Sequence, residues 1–498
     1  MKRAFDELKP YLDQAMALNT ALVLFEWDNE TLAPEEAGGL TGRVIGLLSG
    51  QYFQAVNNEQ VVALAKQCEA EGNLTEAEAA QVKELEKELE KLSHIPRKEY
   101  EEFARLTAES TRVWAKAKET NDFSCFAPVL KKVLEYQKKF AGYRAKAGEK
   151  LMDVMLKDYE PGFTTELLDQ FFDVIRREIV PLFHEVRDSK VQIPDEFLTG
   201  DFSDETQEKI GRFVAEYTGF DFRKGVMAVS AHPFTTNLHN KDVRITTHYT
   251  NRLDSSLFSI IHETGHAIYE FGIRDDLTQT MVGQGASMAM HESQSRFFEN
   301  IIGRSRSFWE PIYPKLQEAF SENLGKVSLE EFVKAVNKAQ AGLIRTEADE
   351  LTYSLHILVR YELEKELIEG NLQVEDLPGA WADKYEEYLG IRPETVAEGV
   401  LQDIHWSQGS FGYFPSYALG NAFGAQLYYH MKKEMDIDGL LAAGKLSVIR
   451  DYLREHVHQY GKLKDSRQIL KDATGEDFDP GYYVKYLKEK YKALYQLS

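Results

Sequence analysis

Cysteine is scarce in this sequence, and long apolar runs are missing from it. The 498 residues contain two cysteines, Cys68 and Cys125, which lie far apart and outside any metal-ligand spacing. This scarcity excludes a disulfide framework and fits a reducing compartment. No apolar stretch approaches the roughly 20 residues of a membrane-spanning helix, so we expect no membrane association. Asp6 and Glu7 interrupt the segment in which a signal peptide needs apolar residues, and the cytoplasm is therefore the expected location.

Basic residues are also in short supply. The chain carries 59 lysines and arginines against 81 aspartates and glutamates, which gives a formal net charge of −22. Such a surface repels phosphate backbones, so nucleic acid is not an expected partner, and we attribute the charge mainly to solubility. The composition, 43% hydrophobic and 28% charged, is that of an ordinary soluble globular protein with enough apolar residues for a large core.

Helical periodicity dominates the chain, and strand patterns are confined to one short region. Strong helical patterns occupy residues 74–92, 99–118, 127–147, 164–189 and 204–219. Residues 225–250 are instead rich in Val, Thr and Ile, with a plausible turn at 240–242, which predicts two or three short strands. We therefore predict a mainly α protein with a small β-sheet. A soft boundary divides a helical N-terminal half, residues 1–224, from a catalytic half, residues 225–498, although one continuous body is equally allowed.

The sequence HETGH, at residues 262–266, lies in a segment of helical character spanning 254–272. His262 and His266 are four residues apart, about 40° around a helix, so both imidazoles face the same side. Glu263 lies one step further round and can reach a water molecule at a metal without ligating it. This arrangement is typical of zinc-dependent peptidases, and it predicts His262 and His266 as ligands and Glu263 as the general base.

A peptidase metal site of this kind needs a third protein ligand and one open position. The extended motif HExxHxxGxxH is missing, because positions 269 and 272 are Tyr and Gly. Residues 287–303 predict a second helix, and its Met, Ala and Phe residues indicate that Glu292 is partly buried, where an unpaired carboxylate is costly. We predict Glu292 as the third ligand, with Glu299 as the alternative ligand or as a support for a ligating histidine. Zinc suits this donor set, and cobalt or manganese could occupy it.

Seven short blocks, in this order, resemble the carboxypeptidase Taq family of thermostable metallocarboxypeptidases. They are HPF (232–234), DVRIT (242–246), HETGH (262–266), HESQ (291–294), IRTEAD (344–349), GVLQDIHW (399–406) and GYFPSY (412–417). Together they lie within about residues 225–424, whereas the first 220 residues match only by helical character. An ordered series of blocks is far more specific than HExxH alone.

This resemblance implies a large helical, saddle-like body with a deep active-site cleft and a small β-sheet near the metal site. It also implies one divalent ion per chain, a homodimer, and peptide substrates that lose C-terminal amino acids stepwise with broad specificity. The predicted activity is a metal-dependent carboxypeptidase. An oligopeptide metalloendopeptidase with the same metal site is the first alternative. A helical scaffold with a vestigial metal site is the second, and the intact Glu263 argues against it.

Further candidates concern the oxyanion and the substrate carboxylate. His405 and Tyr413, in a glycine-rich stretch, are candidate donors to a developing oxyanion. An exopeptidase must bind a free carboxylate, which the planar fork of arginine suits, and Arg345 and Arg244 are the candidates. For Arg345 the structural alternative is an ion pair with Asp349 along a helix.

Two more residues are predicted to contact substrate. His232 lies beside the strand region, whose exposed edge could hold a peptide main chain, and Tyr417 lies close to His405 and Tyr413 in sequence. The alternative for the tyrosines and for His405 is simple burial in the core. His291 is predicted to be a structural or supporting residue.

Overall fold

The computed structural model describes residues 3–497, which divide into two compact units. The first unit comprises the segment up to Glu90 together with Pro194–Val336 and Leu427–Asp477. The second comprises Lys91–Ile193, Asn337–Gln426 and the segment from Phe478 onward. The suggested boundary near residue 225 lies within a segment of the first unit, and the division into an N-terminal and a catalytic half stays a prediction.

In chain order, the described helices and strands are α1 (Ala4–Thr31), α2 (Gly38–Val56), α3 (Glu59–Glu71), α4 (Glu76–Ser93), α5 (Arg97–Thr120), α6 (Phe123–Arg144), α7 (Leu151–Leu156), α8 (Thr165–Arg187), α9 (Asp204–Thr218), β1 (Gly225–Val229), β2 (Thr235–His239), β3 (Asp242–Thr247), α10 (Leu253–Gly272), α11 (Met288–Arg296), α12 (Arg306–Trp309), α13 (Tyr313–Ala319), α14 (Ser321–Leu324), α15 (Leu329–Val336), α16 (Glu350–Glu369), α17 (Leu377–Leu389), α18 (Pro415–Glu434), α19 (Ile437–Ala442), α20 (Leu446–His456), α21 (Ser466–Thr474) and α22 (Gly481–Tyr495). The prediction of a mainly α protein with a small sheet is therefore confirmed. Between residues 3 and 497, no helix combines the length and apolarity needed to cross a membrane.

The strands form one three-stranded sheet in the order β1-β3-β2. Strand β1 runs parallel to β3, with Gly225 opposite Val243, and β2 runs antiparallel to β3, with Thr236 opposite Arg244. The turn between β2 and β3 lies at residues 240–241, where the sequence predicted it. In the first part of β3, Val243 and Ile245 are buried and alternate with the half-buried Asp242 and Arg244, so one face of the sheet packs against the core.

Packing of the sheet and of α11 fixes the position of α10, the helix that carries HETGH. Val243 and Ile245 of β3 are buried in one apolar cluster with Ile260 and Ala267 of α10. On another side, a Cβ atom added at Gly265 would lie 2.7 Å from the Cα atom of Ser295. The glycine inside HETGH therefore lets α10 and α11 approach at backbone distance.

The helix along which Arg345 and Asp349 could have paired begins only after both residues. Residues Arg345–Glu347 form a separate 3₁₀ turn, and α16 starts at Glu350. The Asp349 carboxylate accepts hydrogen bonds from the amides of Leu351 and Thr352, at 2.9 and 3.0 Å. Because an Asp at this position satisfies free amides at a helix start, the helix begins there.

Helix α16 is the core helix of the second unit. Almost every side chain from Glu350 to Leu363 is buried, with no exposed stripe. A helix that is buried all round must pair its polar and ionisable side chains internally, because unpaired polar groups are costly away from water. Arg360 and Glu364 of α16 are fully buried and bind residues of the stretch 403–412.

Candidate metal centre

His262 and His266 of α10 and Glu292 of α11 converge in the first unit. One ligand atom from each lies within 4.8 Å of the others. The Glu292 Oε2 atom is 3.7 Å from His262 Nε2 and 3.6 Å from His266 Nε2. Two imidazoles and a carboxylate form a donor set that divalent metals occupy in peptidases, so the three residues fit such an ion.

Glu299 lies against the far side of the His262 ring. Its Oε2 atom is 2.8 Å from His262 Nδ1, and it accepts a hydrogen bond from Arg296 Nη1 at 3.1 Å. Arg304 Nη2 donates to its other oxygen at 3.3 Å. Burial opposes ionisation of Glu299, but the charges of Arg296, His262 and Arg304 outweigh it and hold the pKa of this carboxyl well below its usual range. This geometry matches the supporting role suggested for Glu299.

A π-helical turn makes this contact possible. Residues Phe297–Ile302 continue α11 as a π-helix, a rare conformation that often occurs at functional sites. Arg296, at the end of α11, donates from Nε to Glu292 Oε1 at 2.7 Å, and its Nη1 atom reaches Glu299. The same guanidinium therefore holds both acids in place.

Glu263 is buried on the same helix as His262 and His266, with 6% of its surface exposed. The hydroxyl group of Thr235, on β2, donates to Glu263 Oε2 at 2.5 Å. Burial raises the pKa of the Glu263 carboxyl, although His262 and the Thr235 hydrogen bond oppose the shift. The small sheet therefore contacts the predicted general base directly.

The Nδ1 atom of His266 lies 2.6 Å from the Nδ1 atom of His291. His291 Nε2 in turn lies 2.7 Å from Glu270 Oε1. Sequence analysis did not single out Glu270, although a signal was present. It lies four residues after His266 and so continues the helical stripe of His262 and His266.

His405, Tyr413 and Tyr417 lie together in the second unit. His405 Nε2 is 3.2 Å from the Tyr417 hydroxyl oxygen, and its ring centroid is 5.2 Å from that of Tyr413. Burial, followed by the charges of Arg345 and Arg360, lowers the pKa of His405 to about 4. This imidazole is therefore neutral at pH 7.

The Arg345 guanidinium lies over the Tyr417 ring, 4.8 Å from its centroid, and is paired with Asp403, not with Asp349. Its Nε and Nη2 atoms donate to Asp403 Oδ1 at 2.9 and 2.8 Å. Arg360 Nε donates to the other oxygen at 2.7 Å. The expected alternative, a helical pair with Asp349, does not form because Asp349 caps α16. Sequence analysis missed Asp403, although it lies two residues before His405 in the block GVLQDIHW.

The remaining candidates, Arg244 and His232, belong to the first unit. The Arg244 guanidinium donates to both carboxylate oxygens of Asp242, at 2.9 and 2.8 Å, and lies over the Trp27 ring. His232 is exposed, and its carbonyl oxygen accepts a hydrogen bond from the Ser230 hydroxyl at 2.6 Å.

The whole chain is similar to known metallocarboxypeptidases. Residues 7–491 match the family described as carboxypeptidase Taq (M32) metallopeptidase. Carboxypeptidase 1 of Bacillus subtilis is 41% identical, over 100% of this chain and 99% of its own length. Thermostable carboxypeptidase 1 of Pyrococcus furiosus is 36% identical, over 95% of this chain and 96% of its own. The crystal structure of the M32 carboxypeptidase from Deinococcus radiodurans is 33% identical and matches with a TM-score of 0.96, covering 99% of this chain and 100% of that one.

These similarities extend over the first 220 residues, where the sequence blocks gave no signal. The relatives are carboxypeptidases by name, which does not favour the endopeptidase alternative, and a full-length match to a peptidase family speaks against the scaffold. The chain belongs to the carboxypeptidase Taq (M32) family of metallopeptidases, and it is a metal-dependent carboxypeptidase.

Proposed function

We propose that His262, His266 and Glu292 hold one zinc ion per chain and that Glu263 is the general base of peptide hydrolysis. The observation that carries this proposal is the convergence of three ligand atoms within 4.8 Å, with the Glu263 carboxylate on the same helix. Cobalt or manganese also suit two imidazoles and a carboxylate, and metal analysis of the purified protein distinguishes them.

When bound, the ion polarises the scissile carbonyl and makes an attacking water more acidic. The Glu263 carboxylate takes a proton from that water as the water oxygen bonds to the carbonyl carbon. It then passes the proton to the leaving amine nitrogen as the C–N bond breaks. Burial raises the pKa of the Glu263 carboxyl, and a more basic carboxylate accepts the proton of water more readily. The Thr235 hydroxyl holds the carboxylate in one orientation.

His405 and Tyr413 donate hydrogen bonds to the carbonyl oxygen as it becomes negative. The surroundings of His405 support this role. Its Nε2 atom lies 3.2 Å from the Tyr417 hydroxyl oxygen, and its ring centroid lies 5.2 Å from that of Tyr413, so the two proposed donors are neighbours. Tyr417 orients the imidazole.

The free carboxylate of the substrate pairs with an arginine. The charge balance favours Arg345 for this role. Arg345 and Arg360 share the single carboxylate of Asp403, which leaves one positive charge in excess. Accessibility to substrate favours Arg244, because 20% of its side chain is exposed, against 8% for Arg345. The exposed His232 contacts the peptide beside β2.

The proposal also covers broad specificity for the C-terminal residue, a homodimer and a cytoplasmic location. Family membership supports the first two. Both cysteines are free, Cys68 buried and Cys125 exposed, which is the usual state in a reducing compartment. Light scattering of the purified protein tests the dimer.

Mass spectrometry of a peptide digest tests the activity. With wild-type protein we expect a ladder that shortens from the C-terminus, no ladder after chelation, and no cleavage of the same peptide with an amidated C-terminus. Internal cuts would instead support an endopeptidase.

Two variants separate the base from the ligands. Glu263→Gln should keep one metal ion per chain and lose about 10²-fold or more in kcat, because it cannot accept the proton of water. Glu292→Gln is the matched control at a ligand, and it should lose metal as well as activity. If Glu263→Gln retains activity within tenfold of wild type, the general-base role is wrong.

A further inference from the structure

The two metal-binding histidines are held in different ways on the side that faces away from Glu292. The Nδ1 atom of His262 contacts a carboxylate directly, that of Glu299, at 2.8 Å. The Nδ1 atom of His266 contacts another imidazole, that of His291, at 2.6 Å. Two ring nitrogens in such a contact share one proton. One nitrogen must carry that proton and donate it, and the other must be bare and accept it.

Glu270 determines these proton positions. Its two carboxylate oxygens receive N–H donors from the backbone of Gly285, at 3.1 Å, and from the side-chain amide of Asn237. Glu270 is 3% exposed and acts toward both neighbours as an acceptor. The His291 Nε2 atom, 2.7 Å from Glu270 Oε1, must therefore carry a proton.

When His266 binds a metal through Nε2, its ring proton lies on Nδ1, so the facing Nδ1 atom of His291 accepts a hydrogen bond and the proton on Nε2 is the only ring proton of His291. A neutral His291 that is protonated at Nε2 has a bare Nδ1, which can only accept. His266 must then donate from its own Nδ1 atom. Its Nε2 atom, 3.6 Å from Glu292 Oε2, is left without a proton, which is the state in which imidazole binds a metal.

We propose that Glu270 is a positioning residue for the metal site, which acts through His291 to hold His266 as a neutral Nε2 ligand. This inference rests on the proposed function, because it assumes the metal at His262, His266 and Glu292. It assigns a role to a carboxylate that touches neither the metal ligands nor the substrate.

The surroundings of His291 leave its ring little freedom. A Cβ atom added at Gly285 would lie 2.7 Å from His291 Cδ2, and the Tyr269 ring lies 5.1 Å from the imidazole, centroid to centroid. The Gly285 amide also donates to Glu270. The loop before α11 thus fixes both the Glu270 carboxylate and the His291 imidazole.

The zinc affinity of the metal-free, full-length protein, measured by competition with a chromophoric chelator, tests this role. Glu270→Gln removes the charge with little change in shape, and His291→Phe removes both ring nitrogens while keeping an aromatic ring against Tyr269. Each should weaken zinc binding about 10- to 100-fold, the range found when groups that orient metal ligands are lost. The cobalt-loaded variants should also show a changed visible absorption spectrum.

A double variant gives the sharpest test. Because Glu270 acts on His266 only through His291, the double variant should bind zinc about as weakly as whichever single variant has the lower zinc affinity. Glu270→Gln combined with Glu299→Gln should instead multiply the two losses, because Glu299 supports the other histidine. His458→Phe is the matched control, since its buried imidazole packs on the same Tyr269 ring but bonds to Gln294 and not to a ligand. It should bind zinc within twofold of wild type.

Thermal unfolding of the metal-free variants excludes a merely structural effect. If Glu270→Gln and His291→Phe lower only the unfolding temperature and keep zinc affinity within twofold, the positioning role is wrong. It is also wrong if their losses multiply in the double variant. If wild-type protein binds no zinc, or if Glu292→Gln binds it normally, the proposed metal site itself fails.

Discussion

Replacing Asp403 by Asn should strongly destabilise the folded protein. Asp403 is the only carboxylate bonded to both Arg345 and Arg360, with donor–acceptor distances of 2.7 to 2.9 Å, among the described residues. The Arg360 side chain is 0% exposed and that of Arg345 is 8% exposed, so after the change water cannot solvate Arg360 and solvates Arg345 only slightly. Removing one partner of a buried ion pair typically costs about 3–5 kcal/mol in the free energy of unfolding. That is a large part of the roughly 5–15 kcal/mol by which a domain is stable.

Calorimetric unfolding at pH 7 measures this loss, which we expect as a decrease on the order of 10 °C in unfolding temperature. Asp188→Asn is the matched control, because Asp188 pairs with Arg187 at 2.8 Å on the surface, where an ion pair contributes about 0–1 kcal/mol. If the two variants lose similar stability, the buried cluster does not stabilise the fold as we argue.

The same variant predicts a pH dependence. Burial opposes ionisation of Asp403, but Arg345 and Arg360 outweigh it, so the pKa of this carboxyl in the folded protein lies well below the value of about 4 in an unfolded chain. The stabilisation is therefore fully present above about pH 4 and is lost as the pH falls toward the folded-state pKa. Wild type and Asp403→Asn should consequently converge in stability in acid. A gap that stays constant down to pH 2 would contradict this.

Two further predictions concern groups that hold site residues in place. Burial raises the pKa of Glu364 to about 8, against the hydrogen bonds from Trp406 and Gly412. Ionising this buried carboxyl destabilises the folded state. As the pH rises from about 5 to 8, the free energy of unfolding should therefore fall by about 1.4 kcal/mol per pH unit. Glu364→Gln should remove this contribution, and a pH-independent difference between the two proteins in urea unfolding would refute it. Thr235→Val removes the donor to Glu263 and should lower kcat about tenfold or more with little change in KM, because the base loses its orientation. Unchanged steady-state kinetics would show that the hydroxyl is dispensable.

Local sequence patterns determined much of the metal centre. The spacing of His262 and His266 fixes both rings on one face, because a helix turns about 100° per residue. Ser287 marks the start of α11, where its hydroxyl accepts a hydrogen bond from the Met290 amide at 3.1 Å. The Val- and Thr-rich region before α10 forms the sheet, because such residues suit a pleated, half-buried surface. These features depend on neighbours only a few residues apart.

Contacts between distant residues were decided by the tertiary structure alone. Glu292 and Glu299 are both plausible ligands in the sequence. In the fold, the π-helical turn after α11 and the close approach of α10 at Gly265 bring Glu292 to the Nε2 side of the histidines and Glu299 to His262 Nδ1. Likewise, the partner of Arg345 is Asp403, 58 residues away, and not the nearby Asp349. Helical periodicity fixes which side chains share a face. It leaves open which distant group meets that face, because this depends on how the helices pack, and only the fold decides the partners of His262, His266 and Arg345.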